Sequence, residues 1–160
     1  MPLTSAGLLM YHQKGQELKV FLVHPGGPLW AKKDAASWSI PKGEFEEGEN
    51  PLEAAKREFS EETGHVVPQG ELLPLEPVKQ SSEKIVHAWY LKGDVDAAAI
   101  HSNMFEMEWP PKSGTLQEFP EVDKAAWYGL DEAKFKIHKG QIPIIEELEK
   151  VLGLKKHRHP

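Results

Sequence analysis

The chain has 160 residues, 39% apolar and 28% charged, with a formal net charge of −6 and no cysteine. Such a length supports one substantial core, while the missing cysteines exclude disulfides and thiol chemistry and suit a cytoplasmic protein. No apolar run approaches the roughly 20 residues of a membrane span, and the acidic balance argues against a nucleic-acid partner.

The N-terminal MPLTSAGLLMYHQ has no basic leader or cleavage pattern, so no signal peptide is expected. Apolar patterning predicts strands over 4–11 and 18–24 around a turn at 13–16, then a short strand at Trp38–Ile40. A helix should begin at Pro51 and stop at Gly64. Segments 71–80 and 84–91 read as a further strand pair, and 125–129 as another strand. Segment 131–137 reads as a short helix, and 142–152 as an amphipathic one with Pro143 near its start. Strands on both sides of a central helix, plus closing helices, indicate an α/β fold with a mixed sheet between helical layers. One domain spanning 1–154 is expected, followed at 155–160 by a basic, disordered tail.

The densest information lies in GEFEEGENPLEAAKREFSEETG, from Gly43 to Gly64. Asn50 suits the N-cap, Pro51 the first helical position, and Glu53 can reach back to the cap. Leu52, Ala55 and Phe59 form a narrow apolar stripe. Glu58, Glu61 and Glu62 share a face about a quarter-turn away, beside the core contact. Like charges on one face repel, and a hard divalent cation is the simplest compensation. Gly43 and Gly48 allow a tight loop that turns a carbonyl toward the same ion. Arg57 can hold a carboxylate in its planar fork. Magnesium typically binds through a few carboxylates plus substrate phosphates, so the constellation suits a polyphosphate.

This segment resembles the Nudix box, G-x5-E-x7-R-E-U-x-E-E-x-G-U with U apolar. Gly43, Glu49, Arg57, Glu58, Phe59, Glu61, Glu62 and Gly64 stand in register. The departure is His65, in place of an aliphatic residue, with Val66 and Val67 following. The resemblance implies an α/β/α sandwich and a pyrophosphohydrolase dependent on Mg2+ or Mn2+. It makes Glu58, Glu61, Glu62 and the Gly43 carbonyl the metal ligands, with Glu58 as the nominal base and Arg57 paired to Glu49 to tie loop to helix. A further glutamate from a later loop often joins such sites. Glu121 is best placed for this, Glu118 next, while Glu44, Glu46 and Glu47 match no fixed position and read as solvated charge.

For the substrate, Trp38-Ser39-Ile40-Pro41-Lys42-Gly43 is similar to the W-x-x-P-K-G lead-in of dinucleoside polyphosphate and diphosphoinositol phosphate hydrolases, with Lys42 then on a phosphate. Trp30, with Lys32 and Lys33, suits base stacking and phosphate binding, and Trp109 is a similar candidate. Gln80–Glu83 stands where ADP-ribose members carry a proline and dinucleoside polyphosphate members a tyrosine. The expected function is cleavage of a phosphoanhydride in a nucleoside diphosphate-linked small molecule, dinucleoside polyphosphates foremost. The alternatives are a nucleoside triphosphate pyrophosphatase that clears damaged nucleotides, or a nucleotide sensor without turnover.

Overall fold

A computed structural model describes residues 3–154, and the basic segment 155–160 lies outside the described residues. The elements are strands β1 (Leu3–Lys14), β2 (Glu17–Pro25) and β3 (Lys42–Glu44), then helix α1 (Pro51–Thr63). Strands β4 (Leu73–Pro74), β5 (Val78–Ser81), β6 (Lys84–Lys92), β7 (Met104–Glu108), β8 (Leu116–Pro120) and β9 (Val122–Gly129) follow. Helix α2 (Leu130–Lys136), a 3-10 turn at Lys139–Gln141 and helix α3 (Ile142–Val151) close the chain.

The main sheet runs β4-β6-β1-β2-β9, with β3 added to β1 and β5 to β6. β1 and β6 are parallel and the other pairs antiparallel, so the sheet is mixed, as expected. Its central strands are apolar on both faces, as a sheet covered on both sides requires. Ala6, Leu8, Met10, Phe21 and Val23 pack with Ala54, Ala55 and Phe59 of α1. On the opposite face, Leu9, Val20, Leu22 and Ile40 meet Ala133 of α2 and Ile144, Ile145 and Leu148 of α3. The result is an α/β/α sandwich. Phe59 is fully buried and contributes about 2–3 kcal/mol by its burial alone, anchoring the acidic helix to the sheet. Among the described residues, no helix is long and apolar enough to cross a membrane.

Two expectations need correction. Trp38–Ile40 is no strand: Trp38 and Ser39 make only isolated bridges to Ile137 and Val23, because Pro41 and the turn before Trp38 leave too little extended chain. Segment 71–80 breaks into β4 and β5, separated by residues 75–77, of which Pro77 has no N–H for a ladder. After His65 the chain enters a loop. His65 Nε2 lies 3.0 Å from the Asp96 carbonyl, Val66 is exposed and Val67 turns into the core.

The β7–β8 hairpin, a separate two-stranded sheet, was not foreseen. Its MFEME and LQEFP strands are short, and the prolines and glycine of Trp109–Gly114 suggested only loop.

Candidate active site

The acidic helix begins as its sequence requires. Asn50 accepts a hydrogen bond from the Glu53 amide at 3.1 Å, and Pro51 occupies the first turn. Its far end stops at Gly64 with φ 75°, whose amide donates to the Ser60 carbonyl. The reciprocal half of the cap is replaced by a Glu53–Lys56 pair at 3.3 Å.

Arg57 works as an organising fork. It donates to Glu49 at 2.6 Å and to Glu58 at 3.2 Å, and its Nε lies 4.0 Å from Glu61. Glu49 also accepts from the Glu46 amide at 3.0 Å, so the guanidinium joins the preceding loop to the helix. The pairs keep Glu49 and Arg57 in their charged forms, pulling one pKa down and raising the other.

The Glu58 carboxyl lies against Gly43 of β3. A Cβ on that glycine would stand 2.1 Å from Glu58 Cδ, so a larger residue would push the carboxyl aside. Glu62 accepts from the Lys42 amide at 3.3 Å. Burial, then the nearby Glu58 charge, push its carboxyl pKa up to about 8. Burial also raises Glu58, against the pull of Arg57. Glu121, in the turn between β8 and β9, is raised by desolvation and then by Glu58 and Glu61. These couplings bring Glu121 to the box glutamates. Glu118 points along β8 opposite Glu106 and stays exposed.

The placement of Glu121 is set by main chain. The Asn103 amide donates to the Glu61 carbonyl, the Glu121 amide to the Asn103 carbonyl, and the Gly26 amide to the Glu121 carbonyl, at 2.8, 2.8 and 2.9 Å. Asn103 is thus a positioning residue that sequence reasoning missed. A backbone bridge leaves no side-chain signature.

A group of carboxylates held up in pKa by desolvation and mutual repulsion suits a hard divalent cation. As the side chains lie, no three acidic or histidine residues among those described face a common ligating point. Arg57 holds the Glu58 carboxylate on the Glu49 side. The donor chemistry fits the ion.

Lys42 is half-buried beside Glu62. Desolvation, then the Lys84 charge, lower its pKa. Trp30 lies in the loop after β2 with the Lys33 ammonium 4.9 Å from its ring centroid, and Lys32 is exposed. Trp38 differs from the expectation of a substrate contact. It is 2% exposed, donates its indole N–H to Asp34 at 2.9 Å, and packs edge-on to Tyr128. A ring so enclosed shapes the loop and offers no face to a ligand. Trp109 sits near the hairpin tip, its carbonyl accepting from Gln117. A depression of about 680 Å³ along the outer flank of α1 is lined by Glu53, Lys56 and Arg57, and none of the three clustered glutamates of the helix lines it.

Residues 1–148 match the NUDIX domain. The chain is 33% identical over 100 residues to an 8-oxo-(d)GTP phosphatase of Mycolicibacterium smegmatis, covering 60% of this chain and 24% of that protein. It therefore spans about a quarter of the length of that curated relative. Among solved structures, a Caenorhabditis elegans Ap4A hydrolase complex superposes with TM-score 0.65 at 20% identity, covering 93% of this chain and 98% of that one. The NUDIX domain of Shewanella oneidensis NrtR with ADP ribose gives 0.64 at 18%, covering 95% and 89%. With its box in register, Glu58 packed against Gly43 and residues 1–148 matched by the family, the chain belongs to the Nudix family.

Proposed function

We propose that this chain hydrolyses a phosphoanhydride bond in a nucleoside diphosphate-linked substrate with Mg2+ or Mn2+, dinucleoside polyphosphates foremost. The observation that carries the reading is the packing of the Glu58 carboxyl against Gly43 with Glu62 on the neighbouring Lys42 amide, while burial and like charge raise the pKa values of Glu58, Glu62 and Glu121. Glu58, Glu61, Glu62 and the Gly43 carbonyl would hold the ion, with Glu121 at its edge. A divalent ion held there would neutralise phosphate charge and make water more acidic.

The remaining chemistry belongs to the chain. A carboxylate whose pKa is lifted toward neutrality accepts a proton from water efficiently, and Glu58 is the nominated acceptor. Arg57, braced by Glu49, sets its orientation. Lys42 contacts a phosphate oxygen, and the Trp30–Lys33 loop, with Lys32, meets the nucleoside end. Trp38 acts only by holding that loop through Asp34.

The identity to an 8-oxo-(d)GTP phosphatase favours a second reading, a triphosphate pyrophosphatase that clears damaged nucleotides. Product analysis with diadenosine tetraphosphate, nucleoside triphosphates, 8-oxo-dGTP and ADP-ribose, with and without Mg2+ or Mn2+, separates the two. Glu61→Gln should keep the fold and lower turnover by roughly 10²–10⁴-fold. Full activity in that variant would remove the glutamate face from the mechanism.

A further inference from the structure

We infer that the β7–β8 hairpin and the loop after β2 form a pocket that takes the nucleobase of the substrate by stacking alone and does not read its edge. The inference rests on the nucleotide-hydrolase reading and adds what that site selects for. Gly26, Gly27, Leu29 and Trp30 on one side and Phe105 and Met107 on the other enclose a cavity of about 150 Å³. An apolar cavity of about that size admits one aromatic ring.

Close packing defines the walls. A Cβ on Gly26 would stand 2.0 Å from the Pro120 carbonyl oxygen, and one on Gly27 would stand 2.9 Å from Phe105 Cζ. The hairpin therefore rests directly on the loop. Phe105 is braced in turn by Phe119, with ring centroids 6.0 Å apart.

The pocket abuts the acidic cluster. The Gly26 amide donates to the carbonyl of Glu121, and Glu121 couples to Glu58, Glu61 and Glu62. A ring seated against Gly26 thus lies beside the main chain of Glu121. The Lys33 ammonium over Trp30 adds a cation on the indole wall.

What the walls lack decides selectivity. Among the lining side chains only Trp30 carries a nitrogen or oxygen, a single indole N–H. Of the main-chain groups at hand, the Gly26 amide is taken by Glu121, the Gly27 carbonyl by the Trp30 amide, and the Trp30 carbonyl by the Lys33 amide. Base discrimination needs matched donors and acceptors on the base edge. One donor cannot separate adenine, guanine and uracil, each of which carries acceptors. Stacking is sequence-tolerant, since every base has a π-face, and contributes roughly a tenfold change in affinity per base. Such a pocket has no means to single out an 8-oxo-purine.

The test is calorimetric binding of ATP, GTP, UTP and inorganic tripolyphosphate with calcium present, on wild type, Phe105→Ala and Met107→Ala. The three nucleotides should bind within about threefold of one another and roughly tenfold more tightly than tripolyphosphate. Either variant should erase that advantage and leave tripolyphosphate binding unchanged. A preference above about thirtyfold for one base, tripolyphosphate binding as tightly as the nucleotides, or unaltered nucleotide affinity in both variants overturns the inference. Turnover with magnesium is scored separately, on diadenosine tetraphosphate as well as the triphosphates. This binding pattern without turnover keeps the pocket and removes the hydrolase reading, whereas turnover without the pattern does the reverse.

Discussion

Gly43 and Glu58 touch: the carboxyl carbon of Glu58 occupies the space where a side chain on Gly43 would begin, 2.1 Å from an ideal Cβ. The glycine is required by contact with a functional group, and its backbone φ is not in the left-handed region. Gly43→Ala should therefore displace the carboxylate while β3 stays paired to β1. A misplacement of about 1 Å can cost roughly 100-fold in rate. The expected result is a drop of that order in kcat with the far-ultraviolet spectrum unchanged. Wild-type kcat in the alanine variant would show that the Glu58 position does not matter.

Glu62 makes metal-free stability depend on pH. Its carboxyl pKa is near 4.5 when unfolded and about 8 when folded, so between those values the folded state holds the extra proton. Stability is greatest at the acid end of that window and declines as pH rises toward 8, by at most about 1.4 kcal/mol per pH unit. Glu58 and Glu121 shift the same way. In EDTA, the melting temperature of wild type relative to Glu62→Gln should fall from pH 5 to pH 8. Magnesium should restore it most at pH 8. A difference that stays flat or rises with pH refutes the assignment.

Arg57 pairs with three glutamates yet is almost half exposed. Exposed ion pairs are worth roughly 0–1 kcal/mol, so Arg57→Ala should hardly move the melting temperature. Loss of the fork frees Glu49 from the helix and Glu58 from its orientation. Turnover should fall by at least about tenfold, and Arg57→Lys, which lacks a planar fork, should recover little of it. Denaturation and steady-state kinetics on the same samples separate the two effects.

Gln141 holds the lead-in to β3 from behind. It is 1% exposed, donates to Ser39 Oγ at 3.0 Å and to Gln80 Oε1 at 3.1 Å, and accepts from the Ile40 amide at 3.1 Å. Gln141→Leu strands the buried Ile40 amide, a cost of about 1–3 kcal/mol. Chemical denaturation should report that loss, with KM rising because Lys42 and Gly43 follow directly. Unchanged stability would mean that water replaces the glutamine.

Sequence legibility followed locality. Helix α1 was readable residue by residue, because Asn50, Pro51 and Gly64 act through neighbours along the chain. Arg57 and Glu49, eight positions apart, were readable through the box register and pair as expected. Glu121 was preferred to Glu118 from its place before β9; it feels the charges of Glu58 and Glu61, while Glu118 lies exposed on β8. What could not be read depends on contacts distant in sequence and carried by main chain. The Asn103 bridge is one case, and the closure of Phe105 over Gly27 is another. Trp38 misled because an indole next to Pro41-Lys42-Gly43 looks like a ligand contact. Only tertiary packing shows it beneath Tyr128, with its N–H taken by Asp34.

The run of amide–carbonyl links from Glu61 through Asn103 and Glu121 to Gly26 makes no demand on side-chain identity at Asn103 or Glu121. The hairpin is thus attached to the catalytic body by a joint that any residue except proline can form. Its sequence is free to diverge, and even to be exchanged for another of equal length, without dislodging the acidic centre. The hairpin and the acidic centre can then drift at separate rates within one domain.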